Sequence, residues 1–179
     1  MAAAVFIDRD GVLNVNEVRN GKPYAPTRAA DFRLLPGVED AARRLKEAGF
    51  LLIVATNQPD IANGITAQAE LDAMHALLRK KVPVDDIRIC YHTDADRCDC
   101  RKPRPGLLLA AAQDHGIDLP RSYMVGDRWR DVAAGKAAGC AASVLVKYDY
   151  DEPEPDSPDA VVASLSEAAD WILRREQGK

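Results

Sequence analysis

Short apolar runs and helical patterns alternate along this chain, and nearly every apolar run stops at a polar side chain. Strand candidates are 4–7, 50–55, 87–91, 122–126 and 143–147, with a weaker sixth at 160–163. Helical candidates lie between them at 37–48, 66–80, 105–115, 129–138 and 164–176; Thr66–Lys80 places Leu71, Met74, Leu77 and Leu78 at helical spacing. Pro105 opens one helix and Gly116 closes it, as helix start and stop signals do. Such alternation predicts an α/β fold, a Rossmann-like, doubly wound parallel sheet with helices on both faces. The acidic, Pro-rich stretch Asp149 to Asp159 reads as an exposed loop, and without internal repeats residues 1–179 are expected to form a single domain.

In a parallel sheet, ligands bind at the carboxyl edge of the strands, so the residue after each apolar run carries the interest. Ala4-Val5-Phe6-Ile7 stops at Asp8, with Asp10 two residues on and then Gly11. Charge delivered to that edge is costly unless a cation or substrate meets it. One carboxylate can act as nucleophile or metal ligand while its neighbour handles protons. An ordinary acidic Asp-Gly turn is the alternative reading. The second strand ends in Thr56-Asn57-Gln58, whose hydroxyl and amide suit a phosphate oxygen or a helix cap. The fourth ends in Gly126-Asp127, with Asp131 four residues later, on the same helix face if the helix begins near Asp127. Carboxylates from separate strands suit Mg²⁺, which keeps waters and substrate phosphate in its shell.

Three of the four cysteines fall close together: Cys90-Tyr91-His92 is followed by Cys98-Asp99-Cys100. Cys90, His92, Cys98 and Cys100 are a full tetrahedral set for Zn²⁺ with no open position, which predicts a small structural zinc loop over 90–100. Cys140, among alanines and glycine, is expected to be inert. Arg101-Lys102-Pro103-Arg104 follows the loop directly. It is the local cationic cluster that a chain of net charge −4 needs in order to hold an anion. The weak overall acidity argues against nucleic-acid partners. The apolar start, Met1 to Ile7, is too short for a signal segment, and no run is long enough to span a bilayer, so a cytoplasmic monomer without membrane partners is expected.

Asp-x-Asp-Gly-x-Leu-Asn, Thr-Asn-Gln, the cysteine loop before Arg-Lys-Pro, and Gly-Asp-x-x-x-Asp, in this order from Val5 to about Ala142, resemble the haloacid-dehalogenase superfamily of phosphohydrolases. That resemblance implies residue roles. Asp8 would attack phosphorus, and Asp10 would protonate the leaving oxygen and then activate water. Asp8, Asp127 and the Asp10 carbonyl would hold Mg²⁺. Thr56 and Asn57 would hold the phosphoryl group, Lys102 would offset its charge, and Arg101 would sit on the substrate side. Asp131 would act behind the Mg²⁺ ligands. No large cap domain fits in the length, which implies an open site for a small phosphorylated substrate. The zinc loop narrows the resemblance to phosphatases of a heptose 1,7-bisphosphate, losing its 7-phosphate, or of histidinol phosphate; a phosphotransferase is the more distant alternative. Two departures bear on the substrate: Asn63 stands where relatives commonly carry Arg, and Arg128 where Lys is frequent.

Overall fold

In chain order, the computed structural model, which describes residues 1–178, contains β1 (Ala4–Ile7), β2 (Glu17–Arg19), β3 (Lys22–Tyr24), α1 (Val38–Glu47), β4 (Leu51–Asn57), α2 (Pro59–Ala62), α3 (Gln68–Lys81), β5 (Asp86–Cys90), α4 (Gly106–His115), β6 (Tyr123–Gly126), α5 (Trp129–Ala138), β7 (Ala142–Val146), β8 (Ala160–Val162) and α6 (Leu165–Gln177). Six strands form one sheet in the order β5-β4-β1-β6-β7-β8, and every pairing is parallel. The doubly wound expectation therefore holds.

Strand residues alternate between two apolar layers, as a period of two requires when both faces are covered. Val5, Ile7, Leu52, Val54, Tyr123 and Val125 enter one core cluster. Ala4, Phe6, Ile53, Ala55 and Met124 enter the other. Helices α1, α3 and α6 cover the first face. On α1 the buried positions are Val38, Ala41, Ala42 and Leu45, a single stripe at helical spacing. The second face is covered by α4, through Leu107, Leu108 and Ala111, and by the end of α5 at Ala138. β1, fully buried, lies in the middle of the sheet between β4 and β6. Its carboxyl end consequently faces the ends of both neighbours.

Three features depart from the sequence reading. Residues 17–24 form a small antiparallel hairpin with Asn20 and Gly21 at its turn, both in the left-handed region at φ 51° and 74°. Asp127 and Asp131 do not share a helix face, because α5 begins only at Trp129. Asp131 caps it instead: its Oδ2 accepts the Arg128 N–H at 3.0 Å, satisfying a donor that the first helical turn leaves open. Finally, the first part of the acidic loop does not stand free in solvent. The Asp151 N–H donates to Gly21 O at 2.7 Å, and Arg128 pairs with Glu152 through Nε at 2.9 Å, so residues 148–152 lie against the hairpin and the start of α5. Among the described residues no helix is long and apolar enough to cross a membrane.

Candidate active site

Parallel pairing brings the ends of β1, β4 and β6 to one edge, and the groups gathered there are mostly acidic. Asp8 follows β1 directly, its N–H bonded to Val125 O at 2.9 Å. Its Oδ1 accepts the Arg9 N–H at 2.8 Å and lies 2.9 Å from Lys102 Nζ. Both of these contacts fall on Oδ1, and the side chain lines the cleft described below. Burial and the nearby Asp131 push the Asp8 carboxyl up to about 6, against the pull of Lys102. Lys102 is itself buried, and its ammonium also reaches Asp131 Oδ1 and Ala55 O, each at 2.6 Å. Burial disfavours its charge, but Asp131 and Asp8 outweigh that and raise its pKa, so it stays cationic.

One carboxylate oxygen from each of Asp8, Asp127 and Asp131 lies within 4.8 Å of the others. Asp127 Oδ2 accepts the Tyr150 hydroxyl at 2.8 Å and the Asn16 amide at 3.3 Å, while its Oδ1 is buried without a partner. Burial, Asp8 and Asp131 drive the Asp127 carboxyl well above the usual range. Three buried acids thus face one ammonium, and the unpaired Oδ1 points to a second cation. The oxygen-only donor set fits a hard divalent ion such as Mg²⁺. Gly11 makes this closeness possible: at φ 84°, a Cβ there would fall 2.1 Å from Asp127 Oδ2. Asp131, with one oxygen on Lys102 and the other on the Arg128 N–H, serves to hold Lys102.

Asp10 is held apart from that cluster. Arg9 Nη2 donates to its Oδ1 at 2.9 Å, Asn14 donates to Oδ1 at 2.9 Å, and Gln58 donates to Oδ2 at 2.7 Å. Burial raises the Asp10 carboxyl, but the Arg9 guanidinium and these hydrogen bonds prevail, and it ends below its ordinary pKa. Arg9 is completely buried and lies over Phe32, 5.9 Å from the ring centroid. Its Nη1 sits 3.1 Å from His75 Nε2. Guanidinium can only donate, so Nε2 accepts and the ring proton is on Nδ1. Burial and Arg9 lower the His75 pKa to about 4, which keeps the ring neutral.

Thr56 and Asn57 end β4 at the same edge, already engaged. Thr56 is buried and its hydroxyl accepts Gln58 Nε2 at 2.8 Å. Asn57 brackets the Lys102 backbone, donating to its carbonyl at 3.1 Å and accepting its N–H at 3.2 Å. An open cleft of about 210 Å³ lies over the cluster, lined among others by Asp8, Asp10, Asn57, Lys102, Arg128 and Arg130, with Pro23 and Tyr24 of the hairpin on its rim. Arg101 does not line this cleft. Its Nε bonds Asp94 at 2.9 Å and its Nη1 the His92 carbonyl at 3.1 Å, in the neighbouring groove. Asn63 is exposed at the end of α2, outside the lining.

Cys90, His92, Cys98 and Cys100 converge as their spacing predicts. Separations are 3.1 Å for Cys90–Cys100, 3.4 Å for Cys98–Cys100, 3.7 Å for Cys90–Cys98, and 3.3 and 3.6 Å from His92 Nδ1 to Cys100 and Cys90. A zinc tetrahedron with bonds of about 2.0–2.3 Å has edges of roughly 3.5–3.8 Å, so the donor set fits with slight relaxation. Cys140 lies elsewhere, its thiol pushed up to about 12 by burial, consistent with an inert side chain.

Arg9, Asn14, Asn16, Gln58, His75 and Tyr150 have contacts here that the sequence reading assigned to none of them. Asn14 and Gln58 sit inside the quoted motifs, and Arg9 between the two acids, so position was the available signal. For His75 and Tyr150 there was none.

The HAD-hydrolase-like family model matches residues 99–168. The D-glycero-beta-D-manno-heptose-1,7-bisphosphate 7-phosphatase of Escherichia coli K12 is 37% identical over 182 aligned residues, covering 95% of this chain and 87% of that protein. The protein of the same name from Yersinia pestis is 36% identical, covering 95% and 89%. The crystal structure of D,D-heptose 1,7-bisphosphate phosphatase from B. bronchiseptica, complexed with magnesium and phosphate, superposes with a TM-score of 0.79 at 32% identity, covering 97% of this chain and 99% of that one.

Proposed function

This chain belongs to the haloacid-dehalogenase superfamily of phosphohydrolases, and on that premise we propose that it removes the 7-phosphate of D-glycero-D-manno-heptose 1,7-bisphosphate through an aspartyl-phosphate on Asp8. The observation that carries the reaction is the buried cluster in which Asp8 meets Lys102 on one side and Asp127 on the other. The substrate rests on the named relatives.

In this reading Asp8 Oδ2 attacks phosphorus while the bond from phosphorus to the sugar oxygen breaks. Lys102, held by Asp131 and by the Asn57 bracket, faces the phosphoryl oxygens and lowers the repulsion between carboxylate and phosphate. Asp10 gives its proton to the departing alkoxide. Arg9 holds Asp10 ionised when the cleft is empty; the charge of an arriving phosphate lifts its proton affinity, and Asp10 takes up from solvent the proton that it then gives to the alkoxide. In the second half, water attacks phosphorus as the bond from Asp8 to phosphorus breaks, Asp10 takes the water's proton, and that proton returns to solvent as inorganic phosphate leaves. Asp8, Asp127 and the Asp10 carbonyl would hold Mg²⁺, which supplies charge neutralisation for the carboxylate and the phosphoryl group. Thr56 supports this edge from beneath, through Gln58.

Cys90, His92, Cys98 and Cys100 would hold a structural Zn²⁺, fixing the loop from which Arg101 and Lys102 emerge. With Asn63 outside the cleft, the second phosphate falls to Arg128 and Arg130 on its wall, and Arg101 acts from the adjacent groove. The chain works as one catalytic domain over 1–179, a monomer of the cytoplasm.

The test is phosphate release with Mg²⁺ from heptose 1,7-bisphosphate and from histidinol phosphate, with ³¹P NMR locating the phosphate that remains. A preference for the heptose substrate with the 1-phosphate retained is expected. Equal rates on both, or none on the heptose bisphosphate, would overturn the substrate assignment.

A further inference from the structure

The segment that follows β7 carries a contact that the phosphatase motifs do not account for. Tyr148 and Tyr150 stack with centroids 5.2 Å apart and planes 8° from parallel. Asp151 N–H on Gly21 O and Glu152 on Arg128 pin the segment on either side of the cleft. Held this way, the Tyr150 hydroxyl donates to Asp127 Oδ2 at 2.8 Å, and Asn16 Nδ2 touches the same two oxygens, Asp127 Oδ2 at 3.3 Å and the Tyr150 hydroxyl at 3.1 Å. Both donors bind Oδ2. The oxygen left over, Oδ1, is the buried one without a partner.

We infer that Tyr150, steadied by Asn16, is a positioning residue that fixes the rotation of the Asp127 carboxylate so that Oδ1 is presented to a divalent cation, an inference that rests on the Mg²⁺ reading above. A carboxylate on a short side chain turns freely about its last bond, and a ligand that must be ordered on binding binds more weakly. A hydrogen bond to the non-ligating oxygen removes that freedom beforehand, as outer partners of metal ligands commonly do. Gly11 closes the third side, since any Cβ there would occupy the place of Oδ2. The strap built by residues 148–152 is therefore part of the cation site, although it lies beyond the last acidic motif in sequence.

The experiment is calorimetric titration of Mg²⁺ alone into substrate-free protein, for the unaltered chain, Tyr150→Phe and Tyr148→Phe. Tyr150→Phe keeps the stacked ring and loses only the hydroxyl; its Mg²⁺ dissociation constant should rise by about 10-fold or more, within the range of about 10–100-fold typical of such partners. The Mg²⁺ concentration for half-maximal turnover should rise in parallel, with KM for substrate at saturating Mg²⁺ unchanged. Tyr148→Phe, whose hydroxyl bonds nothing at Asp127, should match the unaltered chain. Asn16→Ala gives a second reading through the weaker donor should Tyr150→Phe fold poorly, with a smaller rise expected. Unchanged Mg²⁺ affinity in Tyr150→Phe, or in Asn16→Ala where that variant is the one measured, overturns the inference while leaving the metal reading intact. Equal weakening in Tyr148→Phe also overturns it, since packing of the strap would then be the cause. Absence of Mg²⁺ binding by the unaltered protein overturns the metal reading, and the inference falls with it.

Discussion

His75 and Arg9 together set a stability penalty at low pH whose size follows from the structure. The ring is buried, accepts a hydrogen bond from a guanidinium at 3.1 Å, and has its pKa lowered from 6.5 to about 4. A depressed pKa means that the unfolded chain binds this proton more readily than the folded one. Stability is therefore present above pH 6.5 and is lost as pH falls towards 4. For these two values, His75 alone costs less than about 0.1 kcal/mol at pH 7.5 and about 2 kcal/mol at pH 5. His75→Gln keeps an amide oxygen for Arg9 and does not titrate. Urea unfolding of both proteins at pH 7.5 and pH 5.0 isolates the effect, because other titrating groups are shared and cancel in the difference. The unaltered protein should lose about 2 kcal/mol more than His75→Gln over that interval, whatever the offset between them at pH 7.5. Equal losses would refute the reasoning, as would a larger loss in the variant.

Asp8→Asn should abolish turnover, whereas Asp10→Asn should retain slow chemistry, reduced by about 10²–10⁴-fold, both read as phosphate release with folding checked by circular dichroism. Gly11→Ala places a methyl group 2.1 Å from Asp127 Oδ2 at a backbone of φ 84°, so its Mg²⁺ dissociation constant should rise and its midpoint of unfolding fall by several degrees. Arg130→Met should raise KM for a bisphosphate substrate several-fold while leaving KM for a monophosphate nearly unchanged, measured with the two esters in parallel. Elemental analysis should find about one zinc per chain, and its removal by chelation should lower the midpoint of unfolding; a metal-free loop in protein purified without chelator would count against the zinc assignment.

The main frame was legible because the physics behind it is local. Buried strands such as Val5–Ile7 and Leu52–Ala55 announce themselves by continuous apolar runs, and α4 by Pro105 and Gly116 at its ends. Candidate site residues fixed by strand ends, Asp8, Asn57 and Asp127, are legible for the same reason. The hairpin β2–β3 leaves little trace in the sequence beyond Asn20-Gly21, a strong turn signal, because its strands are only three residues long and mostly exposed. The bounds of α5, 129–138, are legible as well, but which acid caps it is not, since whether Asp127 or Asp131 does so depends on what else binds Asp127. Arg9, His75 and Tyr150 were out of reach for a different reason. Their roles come from contacts across 66 and 23 residues of chain, which no local pattern encodes.

β1 precedes its sheet partners along the chain and is completed late. One of its flanks is filled by β4, but the other stays open until β6 arrives, more than a hundred residues later. Until then the strand bearing Asp8 is a bare apolar ribbon, the kind of edge that invites pairing with another chain. The groups gathered around Asp8 are scattered just as widely, from Lys102 to the strap at Tyr150, so the candidate site is complete only once the chain has been made past residue 150 and has closed around it. A chain that ends before β6 carries the Asp8 motif but lacks Asp127 and Tyr150, which ties the assembly of the candidate site to the integrity of the sheet.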